Sequence, residues 1–503
     1  MGPEGVLRPI SVLFSHSRDQ QDSIPPMTAQ PPHSGQPPRS GPPPRSSKVR
    51  HAPPSAAVVA GLPAREAALD IVISALERRA GLDEALARPG MGALAPRDRG
   101  FARMLAMTVL RQLGALDKAL DSRMHKPPPE AVRNLLRLGL AQVLWLDTPA
   151  FAAVSTTLAL AEARNDTRPF KALINGVLRG LLREPAEPSG PEALAPEWLM
   201  ARWTAAYGRG QALKIAAMIA EEPATDLTLR DPTDTEALLE ALNETVSDGA
   251  EEALLSDDGI APIASKATAL PGGSLRVTRR GDVAEWPGFD EGRWWVQDAA
   301  AAIPARLLAP KPGDKVLDLC AAPGGKTLQL AAMGAVVTAL DRSESRLKRL
   351  TANLDRTGLT AESVAVEATA WRDGRTFDGV LLDAPCMATG TFRRQPDVLW
   401  AARPGDVATL AALQSKLLDV AARAIAPGGR LVYCVCSLET EEGEGQIRAF
   451  LKRRPDFALE PMTPGEGGAP EASLAERGWL RILPHQMEGG IDGFFIARMK
   501  RAD

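Results

Sequence analysis

The chain has 503 residues, more than one ordinary hydrophobic core can organise, so two or three domains are expected. Hydrophobic residues make up 45% and charged residues 24%, and no apolar run reaches eighteen residues, which excludes a membrane-spanning helix. Four cysteines without zinc-ligand spacing exclude a disulfide scaffold, and the N-terminus lacks a secretory pattern, so reduced thiols in a cytoplasmic, metal-free protein are expected. The net charge of -3 hides segregation: residues 101–183 carry twelve Lys and Arg against six acids, and residues 221–258 carry thirteen acids and the single base Arg230.

Residues 1–56 hold 13 of the 43 prolines. A segment so poor in buriable apolar surface is expected to be disordered. Residues 57–185 carry apolar positions at helical spacing, as at Leu69, Val72, Ile73 and Leu76, and at Val132, Leu135, Leu136 and Val143. The final helix places Phe170, Leu173, Ile174, Val177, Leu178 and Leu181 on one face, with Arg168, Lys171, Arg179 and Arg183 largely off it. An all-α bundle with basic edges is predicted. Residues 186–290 are expected to hold a linker, one helix over 198–220, and a small α/β region with a short strand at 274–278.

From about residue 291 short apolar strands (315–319, 336–340, 379–382, 430–435) alternate with helices (from 326, 344–356, 407–425), which predicts βαβ units in a doubly wound parallel sheet. The first strand runs into Cys320-Ala321-Ala322-Pro323-Gly324-Gly325-Lys326 and then a helix. Glycines let a ligand approach the backbone closely, and a helix N-terminus favours an anion. Neither a Walker A loop nor a GxGxxG fingerprint is present. What remains is a turn suited to an amino-acid carboxylate, with Lys326 as a charge partner. Asp341 ends the second strand, 23 residues after Asp318, at the spacing of a ribose-binding acid. A nucleoside joined to an amino acid without phosphate describes S-adenosyl-L-methionine.

Two further strands end in chemistry-bearing residues. Residues 381–390 read Leu-Leu-Asp-Ala-Pro-Cys-Met-Ala-Thr-Gly, and residues 431–437 read Leu-Val-Tyr-Cys-Val-Cys-Ser. Ligands of such sheets bind beyond the C-terminal strand ends, so Asp383, Cys386 and Cys436 are expected to converge on the cofactor turn. Cys320 and Cys434 are expected to act as small buried hydrophobes.

The combination resembles the RsmB/Sun family of RNA (cytosine-5)-methyltransferases. The matching positions are 296–300 (Val-Gln-Asp-Ala-Ala), the turn at 317–327, Asp341, the Asp383-to-Gly390 segment, Arg393, Arg394, Pro396, Asp397, Cys436 with Ser437, and 492–495 (Asp-Gly-Phe-Phe). The resemblance spans 295–499. Residues 57–185 look like the NusB-type RNA-binding domain of bacterial members, on helix pattern and residues 175–179. It implies a multidomain α and α/β protein, a NusB-like bundle followed by a Rossmann-like class I methyltransferase sheet over 291–503. It implies that Cys436 adds to carbon 6 of a cytosine, that Cys386 assists release of the adduct, and that Asp383 meets the base at N3 beside Lys326. Residues 320–326, Asp341, Asp383 and the turn at Thr369 would hold S-adenosyl-L-methionine. Thr369 stands where the family usually has an Asp for the adenine, with Glu367 nearby. Arg393 and Arg394 would hold RNA phosphates. The target cytosine would be single-stranded or flipped out.

The expected partner is ribosomal RNA, with small-subunit RNA favoured by the helical domain, and the protein is expected to be a monomer. Two other functions compete. A tRNA cytosine-5 methyltransferase shares every motif. A non-catalytic ribosome assembly factor would not need Lys326, Asp341, Asp383, Cys386 and Cys436 together.

Overall fold

The computed structural model describes residues 61–78, 81–244, 266–279 and 281–503. The proline-rich segment 1–56 and the end of the acidic stretch lie outside the described residues. The chain divides into two compact units, one ending at Gly190 and one starting at Pro191. Among the described residues no helix is long and apolar enough to cross a membrane.

The first unit is all helical. Its longer helices are Leu62–Leu76, Pro96–Arg111, Glu130–Trp145, Ala150–Ala163 and Lys171–Arg183. Prolines mark four of their starts, in the first turn of two and at the N-cap (Pro129, Pro149) of two more. Proline has the backbone angle a helix start needs and lacks an N–H that would go unpaired there. Leu105, Val109, Leu135, Leu136 and Ile174 form part of a fully buried interior. The last helix buries Ile174, Val177, Leu178 and Leu181, but Leu173 is 40% exposed and Phe170 lies in a preceding single turn. The buried stripe is narrower than the sequence pattern, because Leu173 is rotated about 100° from Ile174. Many basic residues are paired internally. Arg133 and Arg137 both bond Asp117 at 3.1 and 2.7 Å, and Lys171 and Arg168 pair with Glu162.

The second unit begins with helices Glu197–Tyr207 and Arg209–Ala217 in place of the single helix expected there. Gly208, at φ 80°, breaks them apart. A small antiparallel sheet follows, built from β1 (Thr225–Leu229), β2 (Ala267–Ala269), β3 (Ser274–Val277) and β4 (Trp294–Val296) in the order β2-β3-β1-β4. The boundary expected at residue 290 therefore falls inside this sheet, since β4 pairs with β1 through Leu227–Val296.

The large sheet contains β5 (Lys315–Leu319), β6 (Val336–Asp341), β7 (Glu362–Ala365), β8 (Phe377–Asp383), β9 (Ile425–Val435), β10 (Phe457–Leu459), β11 (Leu480–Ile482) and β12 (Phe494–Arg501). The order is β10-β12-β9-β8-β5-β6-β7, with β11 on β12. Strands β5 to β9 are parallel, as expected. The C-terminal strand β12 runs antiparallel to β9, which makes the sheet mixed. The interior strands are buried on both faces, with Leu317, Leu319, Val380, Leu381, Leu382, Val432 and Tyr433 wholly enclosed. The order of connection reverses between β5 and β8, and ligands of such sheets bind beyond the C-terminal strand ends at a switch point of this kind.

Candidate active site

The turn after β5 is tightly constrained. Cys320 adopts φ 64° and Gly324 φ 111°. A Cβ on Gly324 would stand 2.7 Å from Leu350 Cγ, so both the backbone angle and the packing exclude a side chain there. Gly325 opens the helix Gly325–Ala332, and Gln297 lies over it. Gln297 also accepts from the Trp295 indole at 2.7 Å and donates to Gln329 at 2.9 Å, which ties the 296–300 motif to this helix. Asp341 is buried at the end of β6. It accepts from the backbone N–H of Ala322 at 3.1 Å and of Ser343 at 2.9 Å, so it holds the turn. Arg346 donates to the Ala322 carbonyl. Thr369 lies on the short turn after β7, its hydroxyl 3.5 Å from the exposed Glu367 carboxylate.

Beneath the turn, Asp318 is 1% exposed. Thr327 donates to its Oδ2 at 2.6 Å, and its Oδ1 has no hydrogen-bond partner. Burial raises this carboxyl to about 7, against the opposing Thr327 bond and the Lys326 charge. Lys326 Nζ donates to Asp383 Oδ2 at 2.8 Å and lies 5.4 Å from the centre of the Phe494 ring. Burial alone would lower the Lys326 pKa, but the Asp383 carboxylate outweighs it and the ammonium is held charged.

Strand register brings the other half of the site together. Asp383 pairs with Cys434 across β8 and β9, and the Cys434 thiol lies 3.5 Å from Asp383 Oδ1. Beyond the strand ends, Cys386 Sγ and Cys436 Sγ are 3.5 Å apart. The Cys386 thiol is pushed well up by its bond to Cys436 and by burial. Burial likewise raises Cys434 and Cys320, the latter also facing Asp383 and Asp341.

The two cysteine segments are cross-tied. Gly390 donates its N–H to the Cys436 carbonyl at 2.9 Å, and Thr389 Oγ1 accepts from the Leu438 N–H at 2.9 Å. The Gly390 carbonyl also accepts from the Gly493 N–H at 2.9 Å, and a Cβ on Gly390 would lie 2.0 Å from the Gly493 carbonyl oxygen. That contact explains both glycines. The helix Glu197–Tyr207 braces the same loops: Tyr207 donates to the Leu438 carbonyl, Arg202 pairs with Glu439 and Glu441, and Trp203 packs 6.2 Å from Phe392.

The two arginines after the Pro-Cys segment differ. Arg393 is 1% exposed, so the expected phosphate contact is corrected. It donates to the Gly489 carbonyl at 2.7 Å and lies 3.7 Å from buried Asp298. Arg394 is partly exposed and pairs with Asp492. Asp492 is fully buried and raised to about 6 by that burial, against the Arg394 charge. Asp298 caps the helix Ala299–Leu308 and accepts from the Asp492 N–H at 3.1 Å.

A model of 16S rRNA methyltransferase RsmB/F matches residues 305–500, and a NusB family model matches residues 62–183. The chain is 38% identical over 430 residues to ribosomal RNA small subunit methyltransferase B of Sodalis glossinidius, covering 82% of this chain and 92% of the relative. The chain belongs to the RsmB/F family. The relative of the same description from Xanthomonas campestris is 35% identical over 454 residues, covering 88% of this chain and 98% of its own length. The crystal structure of the protein PH0851 superposes with a TM-score of 0.68 at 23% identity, covering 87% of this chain and 98% of that one, and shares the fold. As an RsmB/F member the protein is a methyltransferase whose cofactor is S-adenosyl-L-methionine.

The sequence motifs pointed to Lys326, Asp341, Asp383, Cys386 and Cys436, and the fold pairs Lys326 with Asp383, sets Cys386 beside Cys436 and ties Asp341 to the turn at Ala322. They did not single out Asp318 or Glu442. A carboxylate inside the apolar strand 315–319 was the available signal for Asp318. Glu442 follows a run of acids that reads as surface, and only its burial distinguishes it.

Proposed function

We propose that the protein methylates carbon 5 of a cytosine in small-subunit ribosomal RNA through a covalent adduct to Cys436. The observation that carries this is the pair of thiols 3.5 Å apart beside the Lys326–Asp383 ion pair, at the open edge of the sheet.

The cofactor turn suits the methyl donor. Asp318 Oδ1 is a buried acceptor with no protein donor, as an amino-acid ammonium would require. Residues 320–326 would hold the amino-acid end, Asp341 the ribose, and Thr369 with Glu367 the adenine. When bound, S-adenosyl-L-methionine supplies an electrophilic methyl group on a sulfonium.

Carbon 5 of cytosine is a weak nucleophile. Addition of the Cys436 thiolate to carbon 6 makes carbon 5 enamine-like and able to take that methyl. Asp383, paired with Lys326, would face the N3 edge: N3 takes a proton from solvent as the thiolate adds, and the Asp383 carboxylate accepts a hydrogen bond from that N–H. Release needs the carbon 5 proton removed. Cys386 takes it, the C–H electrons re-form the ring double bond, and the bond from carbon 6 to Cys436 breaks.

The target base must leave its stack to reach the thiols. The helical unit would supply RNA affinity through exposed basic residues such as Arg179 and Arg183. Bisulfite sequencing of ribosomal RNA from a deletion strain tests the assignment. One 16S cytosine should lose its protection and regain it on complementation. Unchanged 16S protection overturns the assignment.

A further inference from the structure

Cys386 sits between two peptide groups that are both held by one buried polar pair. Glu442 and Gln414 are each 0% exposed. The Met387 N–H, just after Cys386, donates to both Glu442 carboxylate oxygens at 3.1 Å. The Pro385 carbonyl, just before Cys386, accepts from Gln414 Nε2 at 2.9 Å. The same Nε2 donates to Glu442 Oε1 at 2.9 Å, which joins the two ties.

The three parts come from different elements. Gln414 lies in the helix Pro404–Ala424, and Glu442 lies six residues after Cys436 on the same segment. The Tyr433 hydroxyl, on β9 just before Cys436, donates to the Glu442 backbone carbonyl at 2.6 Å. The carboxylate therefore carries the position of the Cys436 segment over to the backbone of Cys386. Burying a carboxylate is unfavourable, and burial pushes Glu442 up while the Ser437, Met387 and Gln414 bonds pull it back. An apolar side chain would fill that space without the penalty but could not hold two peptide groups.

We propose that Glu442, with Gln414, is a positioning residue that sets the separation of the two thiols and so governs release of the product. The proposal rests on the cysteine-adduct reading above. Neither side chain touches the substrate in this scheme. They act through Cys386.

The test uses the full chain with Glu442→Gln and, as a second variant with the donor removed at similar volume, Gln414→Leu. Loss of a hydrogen bond to a buried carboxylate is expected to slow multiple-turnover methylation about tenfold. The first turnover is retained, and a protein–RNA species accumulates on denaturing gels. A merely structural lesion would instead shrink the first turnover and leave no such species, and that result overturns the proposal. A second readout needs no RNA. Phenylarsine oxide condenses with two neighbouring thiols and releases water, and Cys386→Ala sets the background. Capture should be slower in both variants than in the wild type. Equal capture overturns the positioning role. Slower capture with no covalent RNA species in either variant or in Cys386→Ala upholds the positioning and overturns the adduct reading.

Discussion

The Lys326 ammonium and the Asp383 carboxylate meet at 2.8 Å between the cofactor turn and the two thiols. The lysine side chain is 10% exposed and the aspartate 30%, so each is the main counter-charge of the other. Removing one partner of a buried pair is more damaging than replacing both, because a desolvated charge is left behind. Lys326→Met is expected to lower stability by about 2 kcal/mol, below the usual cost of breaking a fully buried pair because Asp383 reaches water. Methylation should be lost in the fraction that stays folded. Thermal denaturation and a methyl-transfer assay check the two effects separately.

The thiols should have distinct phenotypes despite their proximity. Cys436→Ala is expected to abolish methylation without forming an adduct. Cys386→Ala is expected to hold RNA on the protein through denaturing electrophoresis. Exchanged phenotypes would reverse the two roles.

Asp318 predicts a pH dependence of stability. Its carboxyl lies at about 7 in the folded state, above the unfolded value of about 4. The folded protein then binds this proton more tightly than the unfolded chain. The stability it contributes is full below pH about 4 and is lost as pH rises towards 7, by at most about 4 kcal/mol. Asp318→Asn should remove that decline, making the cofactor-free variant more stable than the wild type at pH 8. It should also weaken S-adenosyl-L-methionine binding. Urea unfolding at pH 5 and pH 8 and calorimetric titration with the cofactor would show this, and parallel pH profiles for both proteins would refute it.

The adjacent arginines should differ in the salt dependence of RNA binding. Arg393→Ala is expected to lower stability by about 3 kcal/mol, because Asp298 and the Gly489 carbonyl lose a buried partner, with no change in the salt dependence of RNA binding. Arg394→Ala is expected to reduce the salt slope by about one, and also to lower stability because buried Asp492 loses its partner. Melting curves and binding measured across a salt series distinguish them.

Local patterns made much of this protein legible. The run 315–319 is apolar enough to be a strand buried on both faces. The glycines that follow it are required by backbone angle and close packing, which are properties of neighbouring residues. The strand-end positions of Asp341, Asp383 and Cys436 follow from the same local argument.

Other features depended on chain segments far apart. Leu173 belongs to the apolar stripe by spacing, yet the packing of its unit leaves it exposed. Arg393 carries a charge and is buried nonetheless, because Asp298 and the Gly489 carbonyl, 96 residues away, receive it. The residues around 197–207 brace the cysteine loops although their sequence resembles a linker helix.

The amino-acid sequence by itself determined the strands and the glycine turn after residue 319, because each follows from periodicity or from backbone geometry over a few residues, while the roles of the two thiols came only as what the family resemblance implies. Only the tertiary structure decided which charges are buried, which helix supports the loops, and that a glutamate from one segment and a glutamine from another grip the backbone on either side of Cys386. A charge can be buried only where distant segments supply its partners, and no local pattern records where those partners come from.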